Sequence, residues 1–238
     1  MKKVSIWVTL GAVVAAFAGG FSFANYLNRG QMTGVQSAST GSEGANGQSS
    51  QESGVLSENE IEEKLKEAEA NASNFAFQKG LGLGLYRYGA VRQDKAIIEK
   101  SIPILERAKG LNPDDFDVLV GLGNAHFDVG YFAKNNASFD RSRNYYTKAL
   151  EKRPGDVEVR TDVALTYFLM TPPEHASAVR EFERALAIDP KHEKSLGFLI
   201  QSLDALGKDA TKYRSTLQSI NPQNPNLQPA ANTAGASK

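Results

Sequence analysis

The chain has 238 residues, with 27 acidic and 27 basic side chains, and therefore no net formal charge; it contains no cysteine. The balanced charge gives no electrostatic reason to expect nucleic acid as a partner. The lack of cysteine excludes disulfides, thiol catalysis and thiolate metal sites.

The first predicted element is a membrane-spanning signal-anchor helix at residues 4–27. This stretch has no charged residue, and its mostly apolar first part is long enough to span a hydrocarbon core of about 30 Å at about 1.5 Å per residue. Lys2 and Lys3 precede it, so the positive-inside rule predicts that residues 1–3 are cytoplasmic. The rest of the chain would then lie in the periplasm or outside, anchored to a bacterial inner membrane.

Cleavage of the same segment as a signal peptide is the alternative. Small residues near Ala18 and Ala24 offer two cleavage positions, although the apolar run is longer than the 7–15 residues typical of a signal peptide. Cleavage at either position would release a soluble periplasmic protein. An intact mass distinguishes the two hypotheses.

A polar linker and a charged helix follow. Residues 28–56 are rich in Gly, Ser and Gln and lack periodicity, which predicts a flexible tether. Ser57 and Glu60 form a capping-box pattern that predicts the start of a helix over 57–73. Its narrow apolar stripe favours a helix that caps the first repeat, and self-association through a short coiled coil is the alternative.

A proline-ended phrase recurs through the rest of the chain, and a repeat of this size predicts stacked helical hairpins. The phrase occurs as Leu105–Pro113, Tyr146–Pro154, Phe182–Pro190 and, more weakly, before Pro222. The predicted repeat domain is residues 74–222, followed by a disordered tail at 223–238. Its repeats are predicted at about 75–115, 116–156, 157–192 and 193–222.

The pattern resembles that of the tetratricopeptide repeat (TPR) family, in its membrane-anchored bacterial form. The third repeat matches at Arg160, Val163, Ala164, Tyr167, Ala178, Phe182 and Pro190. The resemblance implies an all-α fold: a right-handed superhelical solenoid of about four helix hairpins, preceded here by one transmembrane helix. Small residues would let the two helices of a hairpin approach closely.

Departures from the family pattern predict local differences. The first two repeats carry seven extra residues each, which predicts hairpins whose tips protrude. Pro103 is predicted to kink the second helix of the first repeat. Thr171 and Glu174 form a capping-box pattern that predicts a helix start at Pro172.

The resemblance also implies a binding groove, lined by the first helix of each repeat. The predicted lining comprises Lys79, Leu83, Tyr86, Val120, Asn124, Phe127, Thr161, Leu165, Phe168 and Phe198. This mostly apolar and aromatic set suits an extended or helical peptide. The basic residues with which some family members clamp a terminal carboxylate are absent, since Glu158 and Asp162 occupy those positions.

No motif for catalysis stands out. The glycine-rich stretch 79–84 lacks the spacing and the strand of a dinucleotide site, and close helix packing explains its glycines better. His126, His175 and His192 lack metal-ligand spacing; the first is predicted to pack and the other two to be solvated. We therefore expect no enzyme, no cofactor and no metal site.

The sequence thus predicts a membrane-anchored scaffold that binds a protein or peptide in its groove. Similar family members act as chaperones in cytochrome c maturation, where they hold apocytochrome, or in protein translocation, where they meet emerging chains. The alternative is a cleaved periplasmic adaptor that bridges subunits of an envelope complex. Nothing in the predicted groove selects among these uses.

Overall fold

A computed structural model describes residues 56–227 of the chain. These residues form helices and connecting turns, with no strand among them. The helices are α1 (Glu58–Ala70), α2 (Phe75–Arg92), α3 (Lys95–Leu111), α4 (Phe116–Ala133), α5 (Asn136–Lys152), α6 (Val157–Phe168), α7 (His175–Ile188), α8 (Glu193–Ala205) and α9 (Thr211–Ile220), followed by a 3-10 turn at Pro225–Leu227.

Four antiparallel hairpins, α2/α3, α4/α5, α6/α7 and α8/α9, are stacked in chain order. The second helix of each hairpin also packs on the first helix of the next, so the core runs along the stack. The prediction of an all-α repeat array is confirmed over the described residues. The predicted membrane helix (4–27) and nearly all of the linker (28–56) lie outside them, and residues 56–227 contain no helix long and apolar enough to cross a membrane.

Short polar residues begin most of these helices. Asn74, Asp94, Asp115, Asn135 and Asp156 each accept a hydrogen bond from a backbone N–H in the first turn of α2 to α6, respectively. Such a cap satisfies a donor that has no partner inside the helix, and its loss costs about 1 kcal/mol. Local sequence therefore defines where the hairpin helices start.

The first two hairpins are longer than the others, as predicted. Their helices have 18 and 17 residues each, against 12 and 14 in the third hairpin. Both tips turn at a non-glycine residue in the left-handed region, Gln93 (φ 54°) and Lys134 (φ 49°). Pro103 lies within α3, which continues through it.

The predicted capping box at Thr171 and Glu174 is wrong. Helix α7 begins at His175, and the Glu174 side chain makes no capping hydrogen bond. Thr171 is instead fixed by Asn136 of the preceding hairpin, whose Nδ2 donates to the Thr171 carbonyl (2.9 Å) and whose Oδ1 accepts from its N–H (3.0 Å). This contact joins the second and third hairpins near their tips.

Helix α1 covers the open end of the first hairpin. The Ser57–Glu60 capping box is present, with the Ser57 N–H donating to Glu60 at 2.7 Å. Ile61 and Ala68 are buried in a cluster with side chains of α2 and α3. The prediction that this helix caps the first repeat is confirmed, and self-association through it stays a prediction.

The packed structure continues past Pro222. Leu227 packs against the main core, and the Asn221 and Asn224 side chains hydrogen-bond to α8. The predicted disordered tail (223–238) therefore overlaps the packed structure at residues 223–227. Residues 228–238 lie outside the described part of the chain.

Candidate partner-binding groove

We call the faces of α2, α4, α6 and α8 that carry the ten predicted lining residues the inner face. Helix α2 contacts α4, and α6 contacts α8, so residues from successive hairpins meet there. Glycine accompanies this approach: a Cβ at Gly121 of α4 would lie 2.5 Å from Leu83 Cδ2 of α2, so a larger residue there would displace the Leu83 side chain. Gly82 likewise packs against Leu105, but Gly80 has open space, so packing does not explain that glycine.

Solvent reaches only part of the predicted lining. Six of its side chains are buried: Tyr86, Val120, Phe127, Thr161, Leu165 and Phe198. The four that keep partial exposure are Lys79, Leu83, Asn124 and Phe168. The buried members form the floor of the inner face, and a ligand on this conformation would meet the four exposed ones first. That all ten contact a partner stays a prediction.

Lys79 joins the first two hairpins at one edge of the inner face. Its Nζ donates to Asp115 Oδ2 (2.9 Å) and Asp117 Oδ2 (2.8 Å), both at the start of α4. Burial lowers the pKa of Lys79, but its hydrogen bonds to Asp117 and Asp115 and the attraction of their charges outweigh burial, so the net shift of the pKa is upward. The ammonium is therefore charged and fixed in place.

Two tyrosines anchor polar groups of α4. The Tyr86 hydroxyl donates to Asp128 Oδ2 at 2.9 Å, and burial raises its pKa well above the usual value. The Tyr146 hydroxyl donates to Asn124 Oδ1 at 2.7 Å. Because these partners come from different helices, they hold the amide of Asn124 and the carboxylate of Asp128 in defined positions.

Aromatic rings connect the third and fourth hairpins. The Phe168 ring lies edge-on to Phe198 (centroids 5.2 Å apart) and to His175 (5.5 Å). His175 is partly buried in this cluster, and burial lowers its pKa, so the prediction that it is solvated is wrong. Phe168 thus presents a partly exposed ring whose orientation is fixed by packing.

His192 is also not solvated. Its Nε2 donates to Glu158 Oε1 at 2.9 Å, and its Nδ1 lies 2.8 Å from Ser195 Oγ, which is 2.7 Å from Thr161 Oγ1. Sequence reasoning missed this network between α6 and α8. The sequence signal was the pair of carboxylates Glu158 and Asp162, one helical turn apart on α6, because such a pair favours basic neighbours.

Asp162 and Lys194 complete the connection between α6 and α8. Lys194 Nζ donates to Asp162 Oδ1 at 2.8 Å and lies 3.9 Å from Glu158 Oε2, with only 4% of its side chain exposed. The ammonium is therefore engaged by carboxylates of its own chain.

A cavity of about 270 Å³ opens beside this network. It is lined by Glu158, His192, Glu193, Lys194, Phe198, Asn224 and Asn226. Residues from α6, α8 and the C-terminal segment thus meet in one concave place. None of the side chains in the described region are grouped so as to hold a metal ion.

His126 has the packing role that the sequence predicts. It is buried on α4, and its ring stacks on Tyr145 of α5 with centroids 5.6 Å apart. Burial lowers its pKa, and the nearby Arg141 adds to the effect. A neutral imidazole stacked on a tyrosine supports the hairpin rather than a reaction.

The fold and the repeated pattern define a protein of the tetratricopeptide-repeat class. The model of a family described as the plant-specific mitochondrial import receptor subunit TOM20 matches residues 57–175, half of the chain. The chain belongs to this family. No curated protein sequence gives a significant match.

Solved structures support the same fold. A crystal structure of MamA protein is 16% identical, with a TM-score of 0.53, over 67% of this chain and 80% of that one. A second MamA crystal structure, also 16% identical, gives 0.54 over 67% and 85% of the two chains. Identities this low establish a shared fold and nothing about partners.

Proposed function

We propose that the chain is a scaffold that binds a protein or peptide partner on its inner face. The observation that carries this proposal is the row of partly exposed side chains on three successive inner helices: Lys79 and Leu83 on α2, Asn124 on α4 and Phe168 on α6. Contacts with neighbouring helices fix three of them: Lys79 by ion pairing, Asn124 by a hydrogen bond and Phe168 by ring packing. A preorganised surface of this kind loses little entropy when a peptide binds.

The family supports a role in recognising polypeptides. Its description names an import receptor subunit, and a receptor of that kind must recognise a chain that is to be transported. Of the uses considered for this scaffold, this likeness favours handling chains during translocation over holding apocytochrome for haem attachment. A chaperone-like role at a membrane is therefore the finer proposal.

Attachment of the scaffold to a bacterial inner membrane through residues 4–27 is part of the same proposal. It is supported by the uncharged apolar segment and the lysines before it. The intact mass of the chain recovered from a membrane fraction tests it. A full-length mass supports the anchor, whereas loss of the first 18 or 24 residues would favour the soluble adaptor that bridges envelope subunits.

The binding proposal is tested with peptides selected from a random displayed library on the full-length chain. Phe168→Ala removes the fixed ring and should weaken their binding about tenfold, corresponding to about 1.4 kcal/mol. The matched control is Ile188→Ala, which truncates a 40% exposed apolar side chain on α7 outside the inner face. Equal loss in both variants, or none in Phe168→Ala, would contradict the proposal.

A further inference from the structure

The C-terminal segment Asn221–Leu227 repeats the turn that begins earlier inner helices. Asn224 follows Pro222 by two residues, as Asp115 follows Pro113 before α4. The Asn224 Oδ1 accepts the Asn226 N–H at 2.9 Å, and Pro225 occupies the position at which proline favours a helix start. The segment therefore lies against α8 as the beginning of a further inner helix would.

This segment forms one wall of the 270 Å³ cavity. Asn226 lies directly over Gly197 of α8, where a Cβ would be only 2.3 Å from its Nδ2. The Asn221 and Asn224 amides donate to Glu193 Oε1 at 2.6 and 2.7 Å. Four contacts with α8, including one between Asn226 and Gln201, thus hold the wall in place.

The cavity has an excess of negative charge. Glu158 and Glu193 line it together with His192 and Lys194; Glu158 is already engaged by His192 and Lys194, and Lys194 also pairs with Asp162, so Glu193 is the carboxylate that remains. The hydrogen bonds to Glu193 come from neutral amides, and no cation of residues 56–227 lies within ion-pair distance of its carboxylate. A carboxylate held by neutral donors at the edge of an open cavity attracts a cation.

The cavity also offers apolar surface. The Phe198 ring lies in its lining, stacked on Phe182 and in contact with Phe168. Lysine and arginine carry an apolar stem below a charged head, so they bury the stem on such a ring while the head meets carboxylates. Neither an acidic nor a purely aliphatic side chain matches both features.

We propose that this cavity binds a lysine or arginine side chain of the partner, with its stem against Phe198 and its cationic head beside Glu193. This deepens the proposed function, on which it rests, by specifying a basic residue at the C-terminal end of the groove. Asn224 and Asn226 then act as specificity-determining residues, because they complete the wall that encloses the side chain.

The direct test uses small probes on the full-length, isotope-labelled chain. N-acetyl-lysine methylamide should give saturable NMR shifts at the backbone amides of Phe198 and Asn226. The norleucine analogue, which keeps the stem and lacks the charge, should bind at least about fivefold more weakly. Equal binding of the two probes, or no saturable shift with lysine, would overturn the proposal.

Two charge variants localise the effect. Glu193→Gln keeps the oxygen that accepts from Asn221 and Asn224 and removes only the charge, so it should weaken the lysine probe at least about fivefold. Glu151→Gln changes an exposed carboxylate of α5 outside the cavity and should leave binding unchanged. Unchanged binding in Glu193→Gln would overturn the assignment.

The library-selected peptides separate this proposal from the broader one. If they lose affinity with Phe168→Ala and also with Glu193→Gln, both proposals are supported. If they are sensitive to Phe168→Ala alone and carry no enrichment of lysine or arginine, the groove stands and the basic subsite is overturned. If no peptide is selected while the lysine probe still discriminates, the subsite is supported and peptide binding by the groove is contradicted.

Discussion

Gly123 and Gly84 lie on inner helices in opposite surroundings. A Cβ at Gly123 of α4 would lie 2.5 Å from the Tyr146 ring, whereas a Cβ at Gly84 of α2 would have nothing within 4 Å. Packing therefore requires glycine at position 123. At position 84, glycine only lowers the helix propensity.

The matched pair gives a prediction. Gly84→Ala should stabilise the fold by about 1 kcal/mol and raise Tm by about 2–4 °C, because alanine favours the helix and meets no obstacle. Gly123→Ala should destabilise it by about 1–3 kcal/mol, since the Tyr146 ring must shift and its bond to Asn124 is disturbed. Thermal unfolding monitored by circular dichroism measures both, and a stabilised Gly123→Ala variant would refute this packing.

The two histidines with lowered pKa values predict a pH dependence. Burial lowers the pKa of His126 and of His175 below the ordinary 6.5. The unfolded chain therefore binds more protons just below pH 6.5, and stability should fall as the pH drops from about 6.5 towards the lower folded values. Arg141 and Lys109 strengthen the effect at His126, and Glu106 opposes it.

Urea unfolding between about pH 7.5 and about pH 5.5 measures this loss, above the range in which most carboxylates titrate. His126→Gln removes one of the two groups and should flatten the dependence over that range. Stability that rises on acidification, or a slope that the variant leaves unchanged, would contradict the assignment of His126.

At the scale of elements, Asp115 connects a helix start to a contact between hairpins. Its Oδ1 caps α4 by accepting the Val118 N–H at 2.9 Å, and its Oδ2 accepts from Lys79 of α2. One carboxylate therefore fixes both where α4 begins and how α2 lies against it.

Three substitutions separate these roles. Asp115→Asn keeps a good cap and removes the charge, so it should cost at most about 1 kcal/mol. Asp115→Ala removes both and should cost about 1 kcal/mol more than Lys79→Met, which breaks the ion pairs to Asp115 and Asp117 but leaves the cap. Chemical denaturation of the three variants measures the difference. Equal losses for Asp115→Asn and Asp115→Ala would show that the cap contributes nothing.

Elements defined by local patterns were predictable. The proline-ended phrase indicated the hairpins, the seven extra residues indicated the longer helices, and Ser57 with Glu60 indicated the start of α1. The predicted helix start at Pro172, capped by Thr171, fails for a nonlocal reason, because the backbone groups of Thr171 are satisfied by Asn136, 35 residues earlier.

The site was less predictable for the same reason. Family positions identified the inner helices, but burial of Tyr86 depends on α4 of the next hairpin, which the first repeat does not contain. The local sequence identifies His192 only as a turn residue. Its contact with Glu158, 34 residues earlier, depends on how α8 packs against α6. The cavity depends on Asn224 and Asn226, which a local reading assigns to a disordered tail.

At the scale of the whole molecule, both ends of the described stack are covered. Helix α1 packs on the first hairpin, and Asn221–Leu227 packs on the last one. Apolar side chains at both ends of the stack in residues 56–227 are therefore covered by residues of the same chain. The long hairpins lie at the N-terminal end and the cavity at the C-terminal end. A peptide along the inner face would therefore meet different chemistry at its two ends.

The most direct test of the central claim locates a selected peptide on the protein. A photoreactive phenylalanine analogue is placed at Phe168 on α6, or at the partly exposed Tyr213 on α9 as the control. Binding on the inner face predicts that the peptide crosslinks from position 168 and not from position 213, with competition by unlabelled peptide. Crosslinking from position 213 alone, or equally from both, would contradict a binding groove on the inner face.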